Sequence, residues 1–201
     1  MNINLGQYIF CICGPSGSGK STIIKKLIEN YPDYFQLYKT TVDRPKRDSE
    51  INTEFSTYNF ISPQKFDELV AMNQFYEWER QPHNNNRYGK AKDTFKDLSN
   101  DKVILTEMRI PKAIAFKNEL SQYNVQVFYL IIKDEEKVKI RLLQRGDALE
   151  VIEHRMETVR EEEEKESRHA DILLNSYDHN LEKTIEDLIE IMKTKFKINI
   201  K

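Results

Sequence analysis

The sequence predicts an α/β protein whose core is a mostly parallel sheet covered by helices in three layers. Two observations lead to this fold class. Short apolar segments rich in β-forming residues alternate with longer segments of helical periodicity. The first apolar segment is followed by a glycine-rich stretch and then an amphipathic one, the order of a strand, a turn and a helix. The 201 residues, 39% of them hydrophobic, suffice for one compact domain.

The first strand and helix are predicted from two segments near the start of the chain. Tyr8–Cys13 is a continuous apolar run, typical of a strand that is buried on both faces. Lys20–Asn30 carries pairs of apolar residues at 23–24 and 27–28, which is helical spacing, and Pro32 ends the pattern.

The rest of the core is predicted from the second half of the chain. Segments 103–105 and 125–132 are apolar and rich in β-forming residues, so they predict central strands, and 172–174 predicts a shorter one. Leu181–Lys195 predicts the last helix, because its apolar residues fall on one stripe: Ile185, Leu188, Ile189 and Met192.

The region 37–98 differs from the core segments, because it is polar, rich in Thr, Asn and Tyr, and interrupted by prolines. Ser62 before Pro63 predicts a helix over about 63–73, with the serine as N-cap and the proline at the first helical position. We interpret the region as an insertion that folds against the main sheet and binds a ligand.

A phosphate-binding loop is predicted between the first strand and helix, where the sequence fits G-x-x-x-x-G-K-S/T. Glycines let backbone N–H groups approach a polyphosphate, and the helix N-terminus points at the same anion. Lys20 would reach the β- and γ-phosphates, and the Ser21 hydroxyl would bind Mg²⁺. The alternative is a plain Gly/Ser turn, and the motif alone does not separate a kinase from a GTPase or an ATPase. The predicted ATP-binding residues here are Gly14, Pro15, Ser16, Gly17, Ser18, Gly19, Lys20, Ser21 and Thr22.

Composition argues against several classes of partner. The 31 basic and 33 acidic residues leave a net charge of -2, so nothing in bulk charge favours nucleic acid or an anionic membrane. No apolar run is long enough to span a bilayer, and we expect a cytoplasmic protein. Cys11 and Cys13 are interpreted as buried apolar residues, although two near thiols could also bind metal or form a redox pair.

A second anion site is suggested by Arg44 and Arg47, which flank a proline in a polar segment. Their planar guanidinium groups suit bidentate contacts with phosphate. The alternative interpretation is a solvated basic loop.

The ordered set of motifs resembles guanylate kinases, a P-loop family of nucleoside monophosphate kinases, over nearly the whole chain. The matching segments are the P-loop and residues 40–47, 58–60, 75–78, 87–89, 141–146, 153–155 and 174–175. The resemblance implies a P-loop NTPase core (1–36, 99–138 and 158–201), a GMP-binding insertion (37–98) and a helical lid (139–157) within a single domain.

The resemblance also implies how the substrates bind. Arg44, Arg47, Tyr58 and Tyr88 would hold the phosphate of GMP, while Thr40, Glu77 and Glu107 would contact the guanine. Lys90 replaces a serine of the family and could still donate to guanine O6. Asn175 would lie near the adenine of ATP. The implied catalytic residues are Lys20, Arg44 and the lid arginines Arg141, Arg145 and Arg155, with Mg²⁺ as the cofactor of ATP.

Three departures from the family pattern stand out. First, segment 51–57 is longer than usual. Second, the asparagine-rich loop 81–86 is enlarged, and Lys90 takes the place of the serine. Third, the acid that the family associates with Mg²⁺-bound water falls on Leu105, or on Thr106 if the alignment shifts by one residue. Metal handling is therefore expected to depend on Ser21 and the phosphates alone.

Three functions follow as hypotheses. The first is phosphoryl transfer from ATP to GMP, giving ADP and GDP. The second is a related P-loop kinase for another phosphorylated acceptor, such as ribose 1,5-bisphosphate. The third is a non-catalytic interaction module, which the retained Lys20 disfavours. The preference between GMP and dGMP and the choice between monomer and homodimer stay open.

Overall fold

The structure is a computed structural model, which describes residues 5–15, 17–51, 55–81, 85–132, 135–144, 149, 152–153, 156, 165–177 and 180–200. The strands of this part are β1 (Tyr8–Cys13), β2 (Phe35–Leu37), β3 (Thr40–Val42), β4 (Tyr58–Phe60), β5 (Phe75–Arg80), β6 (Arg87–Ala91), β7 (Val103–Glu107), β8 (Asn124–Ile132) and β9 (Ile172–Ser176). The helices are α1 (Lys20–Asn30), α2 (Asp48–Ile51), α3 (Pro63–Ala71), α4 (Lys92–Lys96), α5 (Ile110–Glu119), α6 (Glu135–Gln144) and α7 (Leu181–Lys195).

The main sheet has five parallel strands in the order β2-β7-β1-β8-β9. Its three central strands are the predicted apolar segments, because a strand covered by helices on both faces must be apolar on both. The predicted strands β1, β7, β8 and β9 are confirmed, and so is the parallel arrangement.

Helices cover both faces of this sheet and make three layers. Helices α1 and α7 pack on one face, where Ile23 and Leu27 meet the α7 stripe of Ile185, Leu188, Ile189 and Met192. Helix α5 packs on the other face through Ala113 and Phe116. The predicted bounds of α1 and α7 are confirmed to the residue.

A second sheet of four strands, in the order β4-β3-β6-β5, is formed within the polar region. Strands β3 and β4 are parallel, and the other neighbours are antiparallel. Helix α3 begins as predicted, because the Ser62 hydroxyl accepts from the Lys65 amide and Pro63 opens the helix; it ends at Ala71, two residues before the predicted bound. Phe66 of α3 stacks on Phe75 of β5 at 4.6 Å between ring centroids, which ties the helix to the sheet.

Both cysteines are fully buried in the core between the main sheet and α5, as predicted. Burial raises the pKa of the Cys11 thiol to about 12, so it remains protonated and unreactive at neutral pH. Within the residues that the structure describes, no helix combines the length and the hydropathy needed to cross a membrane.

Candidate active site

The loop after β1 has the geometry of a phosphate-binding loop. Gly14, Gly17 and Gly19 have positive φ angles of 140°, 83° and 89°, a region that side chains disfavour. Gly19 is the N-cap of α1 and, having no side chain, makes no capping hydrogen bond to the amides of the first turn. An anion would satisfy them, as the sequence predicts.

The Lys20 side chain lies against this loop. Its Nζ donates to the carbonyl oxygens of Gly14 at 2.9 Å and Pro15 at 2.8 Å. The Ser176 hydroxyl at the end of β9 donates to the Ser18 carbonyl at 2.9 Å, which anchors the loop to the sheet. These two carbonyl oxygens hold the Lys20 ammonium beside the loop.

Glu107 lies beside the two polar residues that begin α1. The Ser21 hydroxyl donates to its Oε2 at 2.7 Å, and Lys20 Nζ is 4.0 Å from its Oε1. An acid therefore lies beside Ser21, although the alignment puts the family's acid at Leu105 or Thr106. Residues 105 and 107 of β7 share the face that α1 covers; Leu105 is in the core, whereas Glu107, at the end of the strand, points to the start of α1.

A cluster of cationic and aromatic side chains forms on the second sheet. The Arg44 guanidinium lies 5.1 Å from the ring centroid of Tyr58, and the rings of Tyr58 and Tyr88 meet edge to face at 6.2 Å. Arg44 is 5% exposed, and its Nε has no hydrogen-bond partner among the described residues. Three of the four predicted phosphate-binding side chains are thus brought together, whereas Arg47 is exposed nearby.

Glu50 is a member of this cluster that sequence reasoning missed. Its two carboxylate oxygens each accept from Arg44 at 2.6 Å, and Oε2 also accepts from the Arg47 amide at 2.8 Å. Burial acts to raise the pKa of Glu50, but these hydrogen bonds outweigh it and lower the pKa below the ordinary value. In the sequence, only the position of Glu50 three residues after Arg47 indicates that it could pair with these arginines.

A fully buried ammonium group lies next to the predicted guanine-reading residues. Lys90 is 1% exposed and its Nζ donates to Thr40 Oγ1 at 2.7 Å, to Thr106 Oγ1 and to the Tyr38 carbonyl at 3.3 Å. Burial lowers the pKa of Lys90 to about 8, with the charge of Glu77 opposing the shift. Glu77 is its cross-strand partner.

The carboxylate of Glu77 is buried and incompletely paired. Its Oε2 has no hydrogen-bond partner in the described part of the chain, and the nearest cation is Lys112 Nζ at 3.6 Å. Burial raises the pKa of this carboxyl group. Lys112 is thus an ion-pair partner just beyond hydrogen-bond distance, and Oε2 can still accept a shorter hydrogen bond from a ligand.

Electrostatics connect the P-loop with the second sheet. The charge of Glu107 is the largest cause of a raised pKa at Tyr58, followed by burial. In addition, the Thr40 hydroxyl lies 3.4 Å from the Glu107 carbonyl oxygen. Glu107 therefore lies between Ser21 on one side and the Tyr58 and Thr40 group on the other.

Arg87 holds the strand that carries Tyr88. Its Nε donates to Asp43 at 2.5 Å, its backbone amide donates to the same carboxylate at 2.7 Å, and its Nη groups reach Asp67 and the Pro63 carbonyl. The side chains of Arg87 and Asp43 are each 7% exposed. This network joins β3, α3 and β6 under the aromatic cluster.

The remaining predicted residues are less informative. Asn175 is near the end of β9, where its amide is 3.5 Å from the Tyr177 hydroxyl, and Thr22 is exposed on the first turn of α1. Ser16, Arg145 and Arg155 lie outside the described residues, as do nine of the 19 residues of segment 139–157 and the side chain of Arg141.

A cavity of about 270 Å³ lies away from these residues, lined among others by Gly6, Asn100 and Tyr123. These residues precede β1, β7 and β8, so the cavity is at the amino ends of the parallel strands. The P-loop and Glu107 are at the carboxyl ends, where open α/β sheets bind ligands.

The comparisons of this chain with known proteins all point to the same family. A family model described as guanylate kinase matches residues 7–195. A guanylate kinase of Campylobacter jejuni is 30% identical over 177 residues, covering 86% of this chain and 82% of that protein. One of Helicobacter pylori is 31% identical over 189 residues, covering 92% and 86%. The solved structure of a guanylate kinase from Anaplasma phagocytophilum has a TM-score of 0.66 at 17% identity, covering 94% of this chain and 85% of that one, which is a likeness in fold.

Proposed function

The chain belongs to the guanylate kinase family, and on that premise we propose that it transfers the γ-phosphoryl group of ATP to GMP, yielding ADP and GDP. The observation that carries this proposal is the place of Glu107 between two anion-binding groups. Its carboxylate contacts Ser21 and Lys20 of the P-loop, and its carbonyl oxygen lies 3.4 Å from the Thr40 hydroxyl of the second sheet.

ATP binds along the P-loop, residues 14–22, with the loop amides and the first turn of α1 around its phosphates. Lys20 leaves the carbonyl oxygens of Gly14 and Pro15 for the β- and γ-phosphates. Asn175, near the end of β9 and next to the P-loop anchor Ser176, is on the side where the adenine binds.

Mg²⁺ accompanies ATP, and the residues next to the P-loop fit it. The Ser21 hydroxyl and the Glu107 carboxylate are hard oxygen donors within 2.7 Å of each other. Mg²⁺ is usually held by one or two protein oxygens and by phosphates, so a larger acidic cluster is not required. Ser21 would hold the ion, with the charge of Glu107 beside it. When bound, Mg²⁺ neutralises charge on the β- and γ-phosphates.

The phosphate of GMP binds to Arg44, Arg47, Tyr58 and Tyr88, the phosphate-binding part of the insertion 37–98. Arg44 contacts Glu50 through both Nη atoms and keeps a buried, unpartnered Nε–H for the phosphate. Because Glu50 already fixes the guanidinium plane, little side-chain entropy remains to be lost on binding.

Guanine is recognised by Thr40 and Glu77. Guanine presents N1–H and N2–H donors beside the O6 acceptor, so Glu77 Oε2 accepts from the base and the Thr40 hydroxyl donates to O6. The unpartnered Glu77 Oε2 gains the donor that it lacks. Adenine presents an acceptor at N1 and a donor at N6, so it would leave both protein groups unsatisfied.

Catalysis consists of positioning and electrostatic stabilisation. A phosphate oxygen of GMP attacks the γ-phosphorus, and the bond to the bridging oxygen of ADP breaks. Lys20 and Arg44 hold the two phosphates against each other. The lid, segment 139–157, closes over the site, where Arg141, Arg145 and Arg155 neutralise the transferring group and water is excluded.

An initial-rate panel tests this function. ADP release would be followed with Mg·ATP and, separately, GMP, dGMP, AMP, UMP, CMP and ribose 1,5-bisphosphate. We expect GMP to have a far higher kcat/KM than AMP. Glu77→Gln should reduce this preference roughly 10- to 100-fold, because one charged hydrogen bond is replaced by an amide that suits adenine. Glu29→Gln on the exposed face of α1 is the control.

Two results would reject the proposal. Equal turnover of AMP and GMP would exclude Glu77 as a reader of guanine. Preference for ribose 1,5-bisphosphate would make the acceptor something other than a nucleotide.

A further inference from the structure

The hydrogen bonds of the Lys90 side chain all run in one direction, because an ammonium group can only donate. An ammonium has three N–H donors and no acceptor. Lys90 has three acceptors within reach, namely Thr40 Oγ1, Thr106 Oγ1 and the Tyr38 carbonyl oxygen. Its donors are therefore all used inside the protein, and direct donation to guanine O6 would break one of these bonds.

The two threonine hydroxyls next to Lys90 differ in what they do with their own protons. Both must accept from Lys90. Thr106 donates to the Tyr38 carbonyl at 2.9 Å, so its single proton is already used. Thr40 has only the Glu107 carbonyl at 3.4 Å, near the limit of a hydrogen bond. The Thr40 proton is thus weakly held and available to a ligand acceptor.

Resting on the proposed function, we infer that Lys90 is a positioning residue for guanine specificity: its ammonium occupies one lone pair of the Thr40 hydroxyl and repels the hydroxyl proton, which favours donation by Thr40 toward the base. A carbonyl oxygen such as O6 of guanine satisfies that donor, whereas the amino group of adenine opposes it. A hydroxyl alone can donate or accept and so discriminates poorly between the two bases; the buried cation next to Thr40 biases it toward donation.

Charged and titratable groups on several elements face Lys90. Glu77 on β5 and Glu107 on β7 favour its charged form, while burial disfavours it. Burial raises the pKa of the nearby Cys11 and Cys13 thiols on β1, so they stay protonated and add no charge at neutral pH. The Tyr38 ring lies 5.0 Å from its Nζ. If Lys90 loses its proton, the amine can accept from Thr40, whose hydroxyl then presents lone pairs to the base and tolerates adenine.

A double-mutant cycle tests the inference by equilibrium binding, so it does not require turnover. Dissociation constants for GMP and AMP would be measured by calorimetry for the native protein, Thr40→Val, Lys90→Met and the double variant. We expect each single change to lower the ratio of the AMP to the GMP constant about tenfold, the worth of one net hydrogen bond, and the double change to lower it no further. Thr40→Ser, which keeps the hydroxyl, should preserve the ratio.

A pH series on the native protein tests the same inference without depending on whether a variant folds. The pKa of Lys90 is lowered to about 8, so its cation persists below that pH and is lost above it. The ratio should be nearly constant up to about pH 7 and fall as pH passes through about 8 toward 9. Deprotonation of the guanine base at high pH affects binding to the native protein and to Lys90→Met alike. The difference between their pH profiles therefore reports on Lys90 alone.

The outcomes separate this inference from the function on which it rests. If the native protein does not prefer GMP to AMP, the proposed function fails. If it prefers GMP while Lys90→Met and the pH series leave the preference unchanged, or if the two substitutions act additively, only the role of Lys90 is overturned.

Discussion

Replacing Glu50 by glutamine should destabilise the protein although Glu50 lies in a short surface helix. Its partner Arg44 has a side chain only 4% exposed, and both contacts between them are 2.6 Å long. Removing one member of a buried ion pair costs about 3–5 kcal/mol, because the other charge is left uncompensated. Glu50 is 17% exposed and glutamine keeps one acceptor, so we expect a loss of about 2 kcal/mol near neutral pH.

The loss should depend on pH in a defined direction. The pKa of Glu50 is lowered in the folded protein, so the pair contributes stability above the ordinary glutamate pKa, and this contribution disappears as pH falls through the folded pKa. The native protein and the variant should therefore differ fully near pH 7, and the difference should shrink only as pH falls below the ordinary glutamate pKa of about 4.3. Urea unfolding at several pH values, followed by far-UV circular dichroism and by the fluorescence of Trp78, the single tryptophan, measures both.

Glu68→Gln is the matched control. Glu68 pairs with Lys65 at 2.9 Å, but these side chains are 58% and 52% exposed, and exposed pairs contribute about 0–1 kcal/mol. If Glu50→Gln is no more destabilising than this control near pH 7, or if its effect is unchanged at pH 3, the buried pair does not stabilise the cluster as argued.

Three further predictions concern the P-loop and the support of the insertion. Lys20→Met should lower kcat/KM about 10²–10³-fold without changing the urea midpoint, and retained turnover would place the active site elsewhere. Glu107→Gln should raise the Mg²⁺ concentration needed for half-maximal turnover roughly tenfold, since the carboxylate beside Ser21 is lost; an unchanged Mg²⁺ dependence would contradict its role. Arg87→Ala should reduce the free energy of unfolding by about 3 kcal/mol, because Asp43 is left buried without its partner, whereas a change below 1 kcal/mol would show that water replaces the guanidinium.

The core could be predicted because local signals and tertiary packing agree there. The continuous apolar run of β1, the stripe of α7 and the Ser62 cap each report on a burial pattern or a local hydrogen bond that the structure retains. The P-loop is likewise a local motif between two strongly patterned elements.

The side-chain pairs of the candidate site could not be predicted in the same way. Glu107 faces Ser21 because of the register between β7 and β1, which the sequence does not encode locally. The bonds of Lys90 to Thr40 and Thr106 join residues 50 and 16 positions away. Glu50 is close to Arg44 in the chain, but its carboxylate reaches the guanidinium only through the turn into α2. Periodicity does not report such pairings.

A bisubstrate compound would test most directly whether the two anion-binding groups face one gap. Adenosine and guanosine joined through five phosphates should bind with one compound per chain, far more tightly than ATP or GMP, and should displace both from the protein. The analogue with two adenosines should bind more weakly. Binding no tighter than ATP alone, or displacement of ATP without displacement of GMP, would contradict the account, because Lys20 and Arg44 would then not serve a single reaction.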